Sequence, residues 1–250
     1  MFTKQKKIRL NHFLSCAGIS SRRKSDLLIQ SGSVEVNGKI ITKLGTIINT
    51  KDIVKFNGET IKIEKKIYLL IDKPKGFITT TKDQFHRKTV MNLIPHDLIK
   101  YRLFPVGRLD RLTTGLLLLT NDGQISEKLT HPKHRIQKIY RVLLNQEIES
   151  KDIYKIKKEK IFLKEGRIKI NFIYKGYLKN EIKIGLYLGW NKIIKRIFKK
   201  LNYDVIQLDR INFGGLTRKH LKKKIFIRLS NHEVINILNQ NFVHEKNNYH

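Results

Sequence analysis

The chain has 250 residues, with 52 Lys and Arg against 21 Asp and Glu, so its formal charge is +31 and an acidic or neutral metabolic enzyme is excluded as the default reading. Hydrophobic residues are 40% of the chain, enough to bury a core at this length, so the charge belongs to a folded protein of one large or two small domains. Lys outnumbers Arg 38 to 14, the usage an AT-rich genome imposes, so part of the charge is compositional. The remaining excess creates a field whose usual partner is a phosphate backbone, with an anionic membrane surface second. The lone Cys16 makes no intramolecular disulfide and no Cys-based zinc cluster, and a reducing compartment is expected. The start MFTKQKK leads into a mixed segment instead of a signal-peptide core, and no apolar run approaches the ~18 residues of a membrane span. A cytoplasmic protein is expected.

From Ile8, the residues Leu10, Phe13, Leu14 and Ala17 fall at helical spacing and Gly18 supplies a stop. Ser20 or Ser21 caps a second helix running to about Gln30. Its first turn carries Arg22, Arg23 and Lys24, which oppose the helix dipole; a solvated face and a phosphate contact explain that misfit equally well. Val34-Glu35-Val36 and Lys39-Ile40-Ile41 form a hairpin through Asn37-Gly38, a dipeptide that accepts positive φ. Beyond a boundary near 63–66, strands are predicted at 67–71, 115–120, 140–144, 167–174, 181–188, 204–211 and 224–229. Helices are predicted near 89–94, 123–130, 150–158 and 191–201, with a last helix opened by the capping pair Ser230 and Glu233. The fold class is α+β.

The stretch RLNHFLSCAGISSRRKSDLLIQSGSVEVNG resembles the αL RNA-binding domain shared by a small-subunit ribosomal protein, some synthetases and many rRNA-modifying enzymes, over about Ile8 to Val54. That resemblance implies a basic surface for structured RNA at Arg9, Arg22, Arg23 and Lys24, with Asn37-Gly38 serving as the turn.

The segment richest in chemistry is FPVGRLDRLTTG at 104–115, followed by the apolar Leu116 to Leu119 and the turn Asn121-Asp122-Gly123. It sets Asp110 between Arg108 and Arg111, which favour its ionised form, on a loop entering a buried strand. From the residues alone, an Asp capping a turn is the better reading. However, G-R-L-D-x-x-T-T/S-G-L-L-L-L-T-N-D-G is similar to the active-site motif of pseudouridine synthases that modify ribosomal RNA, in the branch that also carries the αL domain. Lys73-Pro74-Lys75-Gly76, Leu129-Thr130-His131-Pro132, Lys138-Ile139-Tyr140-Arg141-Val142 and GWNKIIKRIF at 189–198 agree in order and spacing, so the resemblance spans about residues 8 to 240.

The resemblance implies an αL domain over 1–64 and, over 65–250, a catalytic domain with a central mixed, mostly antiparallel sheet flanked by helices. It implies isomerisation of a uridine of ribosomal RNA, of the large subunit first and the small subunit second, with the target base flipped out of its stack. Asp110 is then the reacting carboxylate, Tyr140 stacks on the uracil, and Lys195 pairs with Asp110. Arg108 is the wedge for the vacated space, with Lys192 and Arg196 as further RNA contacts. Two positions depart from the family's usual residues: Trp190, where relatives carry Arg or Lys, and Lys192, where they carry Arg or His.

No cofactor and no metal are expected. His131 and His134 read better as a loop pair near RNA than as ligands, and there is no G-x-G-x-x-G loop for a nucleotide or a methyl donor. The expected partner is ribosomal RNA or a pre-ribosomal particle, with no membrane, and the expected state is a monomer. The competing reading is a non-catalytic rRNA-binding or assembly factor that kept only the fold.

Overall fold

The computed structural model describes residues 7–158 and 160–246. They divide into two compact units, one of residues up to 66 together with 100–102, the other of 67–99 and 103 onward.

The first unit runs β1 (Lys7–Arg9), α1 (Leu10–Cys16), α2 (Arg22–Gln30), β2 (Val34–Val36), β3 (Lys39–Ile40), β4 (Ile47–Asn49), β5 (Val54–Phe56) and β6 (Glu59–Thr60). The predicted first helix starts later than its periodicity suggests, because Lys7 to Arg9 pair with β4 as a strand. Gly18 stands at φ +78 just beyond the helix, in the conformation that ends it. Ser21 caps α2 by accepting from the Lys24 N–H at 3.3 Å. Asn37 and Gly38, at φ 52 and 79, make the tight β2–β3 turn, and Asn57-Gly58 repeats it between β5 and β6 at φ 48 and 82. Leu10, Phe13, Leu14, Ile29, Val34 and Val54 form the core of this unit.

The second unit contains β7 (Tyr68–Lys73), β8 (Phe104–Pro105), β9 (Thr114–Thr120), α3 (Gly123–Thr130), β10 (Lys138–Leu144), α4 (Ser150–Lys157), β11 (Phe162–Leu163) and β12 (Gly166–Arg167). It continues with β13 (Phe172–Lys175), β14 (Glu181–Leu186), α5 (Ile193–Lys200), β15 (Val205–Phe213), β16 (Leu216–Thr217), α6 (Arg218–Leu221), β17 (Phe226–Leu229) and α7 (Asn231–Lys246). The predicted helix at 89–94 is a 3-10 turn, Val90–Leu93, capped by Thr89 and Asn92. The predicted strand at 167–174 is broken: Gly166, at φ +133, folds β11 against β12, and regular pairing with β14 resumes only at Phe172. The capping pair that opens α7 forms, Ser230 N–H to Glu233 at 2.7 Å and Glu233 N–H to the Ser230 hydroxyl at 3.2 Å.

Its nine-stranded sheet has the order β13-β14-β10-β15-β9-β7-β17, with β16 on β15 and β8 on β9. Every pairing is antiparallel except β9 with β15, where Thr114 and Gly115 stand beside Asp209 and Arg210. One apolar core lies under β10, β14, α4 and α5, around Val142, Ile184, Ile197 and Phe198. A second lies under β7, β9, α3 and α7, around Leu70, Leu118, Leu129 and Leu238.

Gly115 permits the parallel crossing. It stands at φ +108, and a Cβ there would meet the backbone O of Arg210 at 2.3 Å and its N at 2.6 Å. Beside it, Arg218 donates to Asp72 of β7 at 2.8 and 3.0 Å and to Asp209 of β15 at 2.7 Å twice, while the Thr114 hydroxyl of β9 donates to Asp209 at 2.8 Å. Burial pushes the Asp209 carboxyl up, but the hydrogen bonds from Arg218 and Thr114 outweigh it and hold the group below its ordinary value.

Two stability predictions follow from this crossing. Gly115→Ala should cost about 3 kcal/mol, from positive-φ strain and overpacking against backbone. Gly123→Ala, with nothing within 4 Å of its would-be Cβ, should leave the urea midpoint unchanged or raise it. Arg218→Met should cost about 2 kcal/mol at neutral pH, a value discounted because Arg218 is 40% exposed. Because the folded-state value of Asp209 is depressed, its stabilisation is complete above about pH 4 and fades as acid protonates it. The gap between wild type and Arg218→Met in urea titrations should therefore narrow below that pH.

Candidate active site

The loop between β8 and β9 carries Asp110, and it is held through its backbone. Gly107, at φ +73, turns the chain, and Leu109 is 6% exposed, an apolar anchor one residue before the carboxylate. The buried Thr79 hydroxyl donates to the Leu109 carbonyl at 2.7 Å and accepts from the Leu109 N–H at 3.2 Å. Asp110 itself accepts through its carbonyl from the Thr113 N–H at 3.0 Å. Arg111 is fixed from below, its carbonyl accepting from the Gly76 N–H at 2.8 Å and from the Lys73 ammonium at 3.3 Å.

Lys73 is fully buried and also donates to the carbonyls of Pro74 at 3.0 Å and Phe77 at 2.9 Å. Burial lowers its pKa to about 8, and the charge of nearby Asp110 partly opposes that fall. Outward from this clamp, Arg108, Arg111 and Leu112 are exposed.

The Asp110 side chain, 35% exposed, opens into a cavity of about 500 Å³, in the range of small-molecule sites. Its walls include Tyr140 from β10, Leu208 and Arg210 from β15, and Trp190 and Lys192 ahead of α5. Among the described residues lining it, Asp110 is the one carboxylate, against the cations Arg108, Arg111, Lys138, Lys192 and Arg210. The helix α5 buries Ile193, Ile194, Ile197 and Phe198, which leaves Lys195 on its other face with Nζ 3.9 Å from Asp110 Oδ2. That is an ion pair without a hydrogen bond.

The residues singled out in the sequence are thus distributed in three ways. Asp110, Tyr140, Arg108 and Lys192 share the cavity, and Lys195 reaches it through Asp110. Arg196 turns to an intramolecular partner, Glu165, with two hydrogen bonds of 2.8 Å. Arg9, Arg22, Arg23 and Lys24 are exposed on the first unit. His131 caps the Pro132–His134 turn, and His134 meets Glu127 at 3.3 Å. Among the described residues no group of three or more His, Cys, Asp or Glu could hold a metal. No helix among them is long and apolar enough to cross a membrane.

Thr79, Lys73, Lys138 and Arg210 were not singled out by sequence reasoning. Lys73 and Lys138 fall inside segments that match the family, which assigns neither a role. Asp209-Arg210 offered a signal, a charged pair in the middle of a predicted strand, where a side chain must be paired or functional.

An aspartate on a clamped loop, ion-paired with a lysine in a cavity otherwise lined by cations, is an arrangement suited to a reacting carboxylate and an anionic substrate. Residues 67–209 match the RNA pseudouridylate synthase family and residues 8–54 match the S4 domain. The chain is 36% identical over 231 residues to the ribosomal large subunit pseudouridine synthase B of Bacillus subtilis (strain 168), covering 90% of this chain and 93% of that one. It is 34% identical to the protein of the same name from Buchnera aphidicola subsp. Baizongia pistaciae (strain Bp), covering 90% and 95%. A crystal structure of a pseudouridylate synthase superposes with a TM-score of 0.64 at 26% identity, over 92% of this chain and 99% of that one. The chain belongs to the RNA pseudouridine synthases that carry an N-terminal S4 domain.

The clamp assigns Thr79 a positioning role. Thr79→Val keeps shape but leaves the Leu109 N–H and carbonyl unpaired, so stability should fall by about 1–2 kcal/mol. The single-turnover rate should fall about tenfold or more, since small misplacements of a reacting group are costly. RNA affinity should stay within a few fold and Thr79→Ser should recover most of the rate; loss of affinity in place of rate would remove the assignment.

Proposed function

We propose that this enzyme converts uridine in large-subunit ribosomal RNA, free or in a pre-ribosomal particle, to pseudouridine. The choice of RNA is supported by the likeness to the large-subunit pseudouridine synthases B of Bacillus subtilis and Buchnera aphidicola. The catalytic assignment rests on one observation: Asp110 is the single carboxylate among the described residues lining the cavity, with Lys195 3.9 Å away. In this reading residues 1–64 form the RNA-binding domain and 65–250 the catalytic domain, and the enzyme works as a cytoplasmic monomer.

The chemistry needs one carboxylate, because the uracil is retained and no water has to be activated, unlike glycoside hydrolysis with its two carboxyl groups. Asp110 meets the ribose at C1′ or assists loss of the 2′ proton as the bond to N1 breaks. Lys195 keeps the carboxylate aimed, which makes it a positioning residue, and Tyr140 stacks on the uracil from β10. The target nucleotide must leave its stack to reach this depth, and Arg108, exposed on the clamped loop, fills the vacated space. Lys192 at the rim and Arg9, Arg22, Arg23 and Lys24 on the first unit meet phosphates. Arg196 is assigned to the same surface, where RNA would compete with Glu165 for its guanidinium. Neither metal nor cofactor takes part.

Asp110→Asn should abolish pseudouridine formation while RNA affinity stays within a few fold, because binding is spread over many cations. Mapping pseudouridine in ribosomal RNA from cells with the gene, without it, and with the Asp110→Asn allele checks both halves of the reading. The expected result is one or a few large-subunit positions lost in the last two strains. A small-subunit position would overturn the RNA assignment, and modification retained by the variant would overturn the Asp110 assignment.

A further inference from the structure

Arg210 occupies a position that the reaction as described does not use. It is 2% exposed, its Nε donates to the Leu116 carbonyl at 2.8 Å, and its guanidinium lies 4.3 Å from the Phe213 ring centre. It lines the cavity with Asp110 and Tyr140, and its buried Nη2 has no hydrogen-bond partner among the described residues. Burial works against its charge, and the Tyr140 hydroxyl beside it is the neighbour that favours it.

Lys138 stands in the same lining, its ammonium donating to the carbonyls of Ile136 at 3.1 Å and Tyr187 at 3.2 Å. Burial, and then the charge of Arg210, push its pKa down to about 8. The cavity lining therefore holds two buried cations that repel each other, and Asp110 is its one carboxylate among the described residues. A guanidinium stays protonated at any pH the enzyme meets, so an incoming acceptor is what can satisfy the open donor. Arg108, Arg111 and Lys192 are exposed and within reach of phosphates. Arg210 is buried in the lining, so the group that can meet it is one that enters the cavity, as a flipped-out base does.

We propose that Arg210 is a further catalytic residue, whose Nη2 donates to a carbonyl oxygen of the target uracil and stabilises the uracil anion during the interval in which it is detached from the ribose. The proposal rests on the assignment of Asp110 to the sugar. When the C1′–N1 bond breaks, both electrons leave with the uracil, and the anion spreads over N1 and the carbonyl oxygens. The electron-poor C1′ bonds to the Asp110 carboxylate, a bond that breaks as C5 attacks, or C2′ gives a proton to Asp110 and takes it back as C5 attacks. C5 then bonds to C1′, the C5 hydrogen departs as a proton and N1 takes one up, so the product is an isomer of the substrate. Arg210 keeps its protons throughout and acts as a fixed donor aimed at developing charge.

Two experiments test this. In wild-type enzyme, modification of an rRNA fragment is inhibited with free uracil, neutral at neutral pH, and with 5-nitrouracil, which is ionised there. The anion should inhibit about tenfold or more tighter. Equal inhibition, or none by either, overturns the proposal without any variant having to fold. In the second, single-turnover rates of C1′–N1 bond cleavage, the step both substrates share, are measured for Arg210→Gln and Arg210→Lys on fragments carrying uridine or 5-fluorouridine at the target; fluorine stabilises the departing base and stays on C5. Arg210→Gln should lose roughly 100-fold on uridine, distinctly less on 5-fluorouridine, and little RNA affinity, with Arg210→Lys recovering part of the rate. Equal losses on both substrates, or a loss confined to RNA affinity and its salt dependence, would mean a structural or phosphate role. Retained turnover in Asp110→Asn would strike the sugar assignment alone, since the dependence on the leaving base reads Arg210 separately.

Discussion

The site depends on one close approach of two backbones. Strands β9 and β15 run parallel within an otherwise antiparallel sheet, and they meet where Gly115 lies against the peptide of Arg210 with no room for a side chain. The loop bearing Asp110 feeds directly into β9, and β15 carries Arg210 into the same cavity, so the crossing fixes the Asp110 carboxylate and the buried guanidinium in one step. The Asp72, Arg218, Asp209 and Thr114 network binds the same crossing through side chains. Two independent constraints, one steric and one electrostatic, therefore hold the same few ångströms of sheet.

Charge is divided by depth. Arg108, Arg111 and Lys192 at the mouth are exposed, where salt screens them. Deeper in, Lys73 spends its ammonium on the carbonyls of Pro74, Phe77 and Arg111, and Lys138 on those of Ile136 and Tyr187, so both serve as braces. Arg210 alone among these three keeps a donor open. A net charge of +31 is thus several populations with different work, and the bulk count says nothing about which cation does what.

Much of this was legible in the sequence, for local physical reasons. The α2 cap, the Asn37-Gly38 turn, the α7 capping pair and the strands around 67–73 and 114–120 depend on neighbours a few residues apart, and patterns of that range can be read. The family motif brought out Asp110, Tyr140 and Lys195. The break at Gly166, the strand before α1 and the second Asn-Gly turn were missed because short strands carry too few residues to show a period. Thr79, 30 residues from Leu109, and Arg218, 146 from Asp72, act through pairings that only the folded sheet creates. The Arg196 fork on Glu165 belongs to the same class, since a salt bridge 31 residues long in sequence leaves no local trace.

The manner in which the Asp110 loop is braced bears on how such an enzyme changes its target. Thr79, Gly76 and Lys73 grip peptide groups of Leu109 and Arg111, and the anchor is one buried leucine. The side chains that point outward from that loop, Arg108, Arg111 and Leu112, carry none of the load. Evolution, or a protein engineer, is free to rewrite them to suit a different RNA contour while the Asp110 carboxylate keeps its place, so the outer face and the inner face can drift apart on a segment only eight residues long.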